Sequence, residues 1–389
     1  MIYSLGNTER DMAEFAYFDN GGTTAVAEEV LNEMLPFFRE HYGNPSSIHA
    51  MGGTALKAMS AARKRISSAL NCRPSEIVFT SGGTEADNLA LLGTVPHLGG
   101  RKKIITSAVE HSAILETCAR LRSLGYETTI LQADREGRIA PDTLRAHIDD
   151  DTALVSIMAA NNVIGTIQPV AELAMIAHEH GALFHTDAVQ AFTKVDIDVM
   201  RDSMDALSIS GHKIHGPKGI GALYVRNGVK IEPTMLGGGQ ENGMRSSTEN
   251  IPGIVGLGKA TEIAMSSMDD DVKRMTAMRD SIIDAVLEMS GSYLNGPNDG
   301  RLCNNAHFGF DGVKGTDLVL KLSKKGIMAS TASACSAGST EPSHVMTAIG
   351  RSPSEALSSL RISLSRYTTQ DEVDHLLSSL PDALRAVRK

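Results

Sequence analysis

The sequence predicts an α/β fold, with a largely parallel sheet covered by helices on both faces in a large domain and a smaller α+β domain beside it. Two observations carry this. Between residues 76 and 225, short β-branched or apolar runs bounded by turn residues recur, and helix-like stretches fall between several of them. After GGGQENG (237–243) the pattern changes to long helix, with apolar residues three and four apart. At 389 residues, 42% of them hydrophobic, the chain can bury a core large enough for both units.

In chain order the expected strands are EIVFT, KKIITS, YETTILQ, ALVSIMA, ALFHTD, DALSIS and GALYV. The expected helices between them include ADNLALLGTV, SAILETCARLRSLG and PVAELAMIAHEHG. One long helix is expected over residues 250–289, then strands NNAHFGF and SLRISL, with a capping box opening SPSEALSSL at Ser352 and Glu355. These elements divide the chain into a large domain over 16–255 and a small one made of 1–15 plus 256–389. Neither an internal repeat nor a long linker is visible.

With 37 basic and 46 acidic residues, the net charge is −9 and there is no basic block, which argues against direct nucleic-acid binding. The opening MIYSLGNTERDMAEF reads as neither a secretory signal nor a transit peptide, and no 18-residue uncharged apolar stretch calls for a membrane. The four cysteines are far apart without C-x-x-C spacing, so free thiols in a reducing, cytoplasmic setting are expected.

Four motifs carry chemistry. IVFTSGGTEADN is a strand, a glycine turn and a helix start, so Gly82, Gly83 and Thr84 offer backbone N–H groups, a helix dipole and a hydroxyl to a phosphate. Equally, Thr84 could simply cap an ordinary turn. It is not a P-loop, because no G-K-[ST] follows. EHSAIL puts His111 after a strand, suited to stack on a ring or move a proton, or to serve as a plain helix-start histidine.

ALFHTDAVQ puts Asp187 and Gln190 at the carboxyl edge of the sheet, where the aspartate can hold a protonated ring nitrogen or cap a helix. SISGHKIHGPKG sets Lys213 among glycines that permit close backbone approach, and a desolvated lysine can form a Schiff base, although most lysines are surface residues. A metal is the weaker reading, since His212 and His215 have no accompanying ligand set. Phosphate loop, aromatic platform, ring-nitrogen acid and lysine, in that order, are the partners that pyridoxal 5'-phosphate requires.

The stretches YFDNGGTT, GNPSSIH, FTSGGTEADN, EHSAI, HTDAVQ, SGHKIHGPKGIGALYV, GGGQENGMRSSTEN, SACSAGSTEPSHV and SLRISLSRYTT resemble cysteine desulfurases of the NifS/IscS type. These are aminotransferase class V proteins of pyridoxal-phosphate fold type I. The resemblance runs from about residue 17 to about 375. It implies that Lys213 holds the cofactor as an imine and that His111 stacks over its ring. Asp187 would pair with the pyridine nitrogen, and Gln190 and Asn162 would reach the phenolic oxygen. Gly83, Thr84, Ser210 and His212 would hold the phosphate, joined by Thr248 from the second subunit of a homodimer. Arg361 would bind the substrate carboxylate bidentately, with Asn161 beside it. Three departures stand out: Val163 where an acidic residue is usual, Ser247 where glycine is common, and Thr331 with Ala332 where Ser or Gly is frequent.

The reaction implied is removal of sulfur from L-cysteine, giving alanine and a persulfide on Cys335 for an acceptor such as an Fe–S scaffold protein. Cys335 stands in ASTASACSAGST (329–340), whose small residues let a loop carry the thiol between cofactor and acceptor. No Lys, Arg or His lies within eight residues of it to lower its pKa, so the thiolate is expected to form only when the loop enters the site, with His111 or the substrate taking the proton. Cys72, Cys118 and Cys303 are expected to be packing residues. The alternatives are a selenocysteine lyase or cysteine C–S lyase of the same fold, or a catalytically silent partner-binding protein.

Overall fold

The computed structural model describes residues 15–331 and 342–388. Its strands are β1 (Ala16–Tyr17), β2 (Ile77–Thr80), β3 (Lys103–Ser107), β4 (Glu127–Leu131), β5 (Thr152–Ser156), β6 (Leu183–Asp187), β7 (Ala206–Ser210), β8 (Gly221–Val225), β9 (Ser292–Asn295), β10 (Asn305–Phe310), β11 (Ile327–Met328) and β12 (Ser359–Ser363). The main sheet has the order β2-β8-β7-β6-β5-β3-β4. Only β8 runs against its neighbours, pairing antiparallel with both β2 and β7, so the expected largely parallel sheet is present. Strands β2, β5, β7 and β8 are buried along their whole length, which is why they read as continuous apolar runs rather than alternating ones.

The helix Ala50–Leu70 packs along the helix Ile251–Ser266 on one side of this sheet. Their closest approach needs Gly258, where a Cβ would stand 2.7 Å from Ala62. The expected helix over 250–289 is in fact two, broken at Ser267, with Met268–Leu287 as the second. Asp269, Asp270 and Asp271 fill the first turn of that second helix, where the dipole favours negative charge, so the acidic run starts a new helix instead of continuing the old one.

The break also marks the change of core. Ile251, Ile254, Val255, Leu257 and Ala260 belong to the large-domain core with Ile66 and Leu207, whereas Met275, Ile282 and Val286 belong to a second core with Phe308, Leu360 and Leu376. The boundary expected between 255 and 256 therefore cuts through a helix that packs entirely with the large domain. Ala16 and Phe18 pack in the second core, and β1 pairs with β11 there. The antiparallel sheet β12-β10-β9 supports this smaller unit. The Ser352 capping box is present, with Ser352 Oγ accepting from the Glu355 N–H and the Glu355 carboxylate accepting from the Ser352 N–H.

Candidate active site

Five strands of the main sheet deliver chemistry to one edge. At or just past the carboxyl ends of β2, β3, β5, β6 and β7 come Gly83, His111, Asn162, Asp187 and Lys213, all lining one cavity of about 190 Å³. A parallel sheet places its ligand sites at this edge. Thr84, Gln190, Ser210 and His212 line the same cavity.

At one end the helix Gly83–Thr94 begins without a side-chain cap, so Thr84 is not the capping residue of an ordinary turn. Its first N–H groups, the dipole and the Thr84 hydroxyl are set for an anion. A Cβ on Gly83 would stand 2.6 Å from Val189 Cγ2, so only glycine lets the helix start lie this close to the segment after β6. Ser210 is buried, and His212 Nδ1 lies 3.1 Å from the Thr23 hydroxyl. Burial, with Lys213 and Lys218 nearby, pushes the His212 pKa down to about 4, so at neutral pH it contributes a neutral ring.

Lys213 follows β7 on the short turn Gly211–Lys213, and its ammonium donates to the carbonyls of Gly21 (2.8 Å) and Gly22 (2.5 Å). Gln190 Nε2 donates to the same Gly21 carbonyl at 2.9 Å. His111 caps the helix Ser112–Ser123, with Nδ1 accepting from the Ala113 N–H at 3.1 Å. In the neutral ring the proton therefore sits on Nε2. Asp187 is 5% exposed and accepts from the Val189 N–H at 2.8 Å. Its pKa is raised by burial, against the opposing pull of that hydrogen bond, His111 and Lys213. A buried carboxyl in that state is suited to a cation brought by a ligand.

Asn161 and Asn162, adjacent in sequence, do different work. Asn161 is fully buried: its carbonyl accepts from the N–H groups of Val163 and Ile164, and its amide donates to the Val109 carbonyl. It holds the turn after β5 and does not line the cavity, whereas Asn162 does, so the contact expected of Asn161 has no opening towards a ligand there. Val163 is also a core residue, packed with Val109, Val345, Met346 and Ile349, so the residue found in place of the usual acid builds a wall and carries no charge.

Arg361, on β12, is 2% exposed. Its Nη2 pairs with Asp19 at 2.7 Å and its Nη1 donates to the Asn162 carbonyl at 3.0 Å, while Nε is buried with no partner among the described residues. The guanidinium lies against Gly21, where a Cβ would sit 3.4 Å from Cζ. Gly21 is thus the link between lysine and arginine. The sequence reading missed Asp19, Gly21 and Gly22; their signal lies in YFDNGGTT, an acid followed by two glycines just after β1.

Cys335 and Ala332 fall outside the described residues. The chain on either side has fixed attachments: Ser330 pairs through its backbone with Arg361, and His344 Nε2 lies 2.8 Å from the Glu110 carbonyl, next to His111. Burial pushes the thiols of Cys72 and Cys118 up to about 12 and also raises that of Cys303, so these three are poor nucleophiles, as packing residues should be.

Thr248 is exposed and does not line this cavity. Its neighbour Ser247 has φ +101°, which explains why glycine suits the position. Ser247→Gly should stabilise the protein by about 1 kcal/mol, read as a shift of the denaturant midpoint without a change in slope.

Residues 16–376 match the model of the family described as Aminotransferase class-V. A protein named cysteine desulfurase IscS from Methanosarcina thermophila is 48% identical over 96% of this chain and 92% of its own length. The chain belongs to the class-V aminotransferase family, within its cysteine desulfurase group. Among solved structures, one titled NifS-like protein superposes with a TM-score of 0.91 at 39% identity, covering 96% of this chain and all of its own. Another, titled SspA in complex with cysteine, reaches 0.80 at 39% identity over 91% and 99% of the two chains.

Members of this group depend on pyridoxal phosphate, and the cavity fits it. An uncapped helix start closed by Gly83 answers the phosphate, a buried carboxyl answers the ring nitrogen, and a lysine held by two carbonyls answers the aldehyde.

Proposed function

We propose that the chain removes sulfur from L-cysteine and passes it on as a persulfide of Cys335, leaving alanine. The observation that carries this is the attachment of the cysteine segment: one described flank is tied through Ser330 to Arg361, and the other through His344 to the Glu110 carbonyl, next to His111 of the Lys213 cavity.

Pyridoxal phosphate, when bound, supplies an electron sink for breaking bonds at Cα. Lys213 Nζ would hold the group through its aldehyde, and the same amine would move the Cα proton. Arg361 holds the substrate carboxylate through its Nε edge, the part of the guanidinium left without a partner. Gln190 and Asn162 would orient the ring oxygen, Asp187 the ring nitrogen, and Gly83, Thr84, Ser210 and His212 the phosphate. The Cys335 thiolate attacks the substrate sulfur: an S–S bond forms, the C–S bond breaks with its electron pair staying on carbon, and a proton completes alanine. His111 Nε2 would hold a proton in exchange with substrate or thiol.

A homodimer is supported by exposed apolar side chains in two stretches, Phe38, Tyr42 and Ile48 in one and Met235 with Leu236 in the other. The second stretch precedes Thr248, which would complete the phosphate site of the partner. An Fe–S scaffold or another thiol acceptor would collect the sulfur, and a cytoplasmic setting fits buried free thiols. No helix among the described residues is long and apolar enough to cross a membrane.

Cys335→Ala tests the reading. The variant should keep the cofactor's visible absorbance and lose sulfide release, and mass spectrometry after incubation with cysteine should find one added sulfur on Cys335 of the parent protein. Sulfide release that survives the substitution would indicate a C–S lyase.

A further inference from the structure

The cavity holds a second carboxyl that the proposed chemistry leaves unused. Asp87 lies one turn beyond Thr84 on the helix Gly83–Thr94 and lines the same cavity as Asp187. It is 1% exposed, and its Oδ1 has no hydrogen-bond partner among the described residues. The nearest imidazole, His185 Nε2, is 3.8 Å away, too far for a hydrogen bond.

A fixed polar chain reaches Asp87 from behind. Ser156 Oγ lies 2.9 Å from His185 Nδ1, and His185 Nε2 lies 3.0 Å from Ser208 Oγ, whose hydroxyl bonds the Asp87 carboxyl. Burial lowers the His185 pKa to about 3, so the ring is neutral and carries one proton. In the arrangement in which Ser208 donates to Asp87, that proton sits on Nε2 and Nδ1 accepts from Ser156. The chain therefore runs one way across β5, β6 and β7 and ends at Asp87.

The charged and titratable groups facing Asp87 are unequally shared with Asp187. Asp187 has the Val189 N–H, His111 and Lys213 to favour its anion. Among the described residues Asp87 has the Ser208 hydroxyl alone, and faces Asp187 and Glu110, both carboxyls, in a fully buried setting. Two buried carboxylates in one cavity do not both ionise. The asymmetry decides which one keeps the proton.

We propose that Asp87 is a positioning residue that keeps the single proton of a two-carboxyl pair, so that Asp187 alone is ionised where the ring nitrogen binds. Asp87 acts through Asp187: it prevents a second negative charge from forming in the cavity beside Asp187, and the Ser156–His185–Ser208 chain holds it in place. The proposal rests on the pyridoxal-phosphate reading of the cavity for its purpose, but its proton can be observed without cofactor.

The test compares the parent protein with Asp87→Asn. In the folded protein Asp87 binds a proton that the unfolded chain has lost above about pH 4. Its contribution therefore weakens folding as pH rises, by up to about tenfold in the folding constant per pH unit, until the folded carboxyl ionises. The apoprotein of the variant should lose that slope, so the parent loses stability relative to the variant from pH 5 towards pH 8. In cofactor-loaded protein, the infrared carbonyl band of a protonated carboxylic acid should fall by one group in the variant, the Glu110 contribution cancelling in the difference. If Asp87→Asn folds poorly, Ser208→Ala serves instead: loss of the donor should move the same step to higher pH. Parallel stability curves, an unchanged infrared band, or an unmoved step in Ser208→Ala would each overturn the proposal. Failure of the parent protein to bind pyridoxal phosphate would remove the cofactor reading while the apoprotein curves still judged the pair.

Discussion

Lys213→Ala should abolish the cofactor's visible absorbance and lower turnover by at least about 10²–10⁴-fold, the range ascribed to one positioned acid–base group. Two jobs are lost together, since Nζ both binds the aldehyde and moves the proton. Stability should change little: the side chain gives up two hydrogen bonds to the Gly21 and Gly22 carbonyls, worth about 1 kcal/mol each, and a partly buried ammonium no longer has to be desolvated. Lys213→Arg separates the effects. It retains a cation that can still reach those carbonyls but has no amine able to form an imine, so it should fold like the parent and be equally colourless. Absorbance of protein purified with added cofactor, read beside turnover and thermal unfolding, checks both variants. A coloured, active Lys213→Ala would return the chain to the silent-scaffold alternative.

The parts of this site that were legible in sequence are those made by short segments. A buried strand followed by a turn and a helix start is one local pattern, and it located Gly83, His111, Asp187 and Lys213 because each sits within a few residues of a strand end. The helix break at Ser267 was hidden because apolar spacing continues through it, and only the acidic run on the far side betrays the new start. Asn161 and Asn162 could not be separated by spacing, since which one faces the cavity depends on how the turn after β5 is held. Asp87 carried no signal of its own in the sequence, and its burial follows from the packing of its helix on β7 and β8. Least legible was the pair Asp19–Arg361, whose partners are 342 residues apart and meet only when β12 lies beside the segment after β1.

That pair sets the second large expectation. Replacing Arg361 with Met should raise KM for cysteine far more than it lowers the cofactor's absorbance, because the guanidinium contacts Gly21 and Asn162 and not the helix start at Gly83 and Thr84 proposed to hold the phosphate. A charge-assisted bidentate contact is worth about 3 kcal/mol, so KM should rise roughly a hundredfold. Stability should also fall, by about 3 kcal/mol, the lower end for breaking a buried pair, because the orphaned Asp19 is 28% exposed and water can reach it. Arg361→Lys should recover part of the stability by keeping the cation, but little of KM, since an ammonium cannot hold Asp19, the Asn162 carbonyl and a substrate carboxylate in one plane. Adding Asp19→Asn to Arg361→Met tells the two losses apart. The double variant no longer carries an unpaired carboxylate, so its stability should exceed that of Arg361→Met, whereas its KM should remain as high. Recovery of KM in the double variant would mean that Asp19 repels the substrate and that Arg361 matters only by neutralising it.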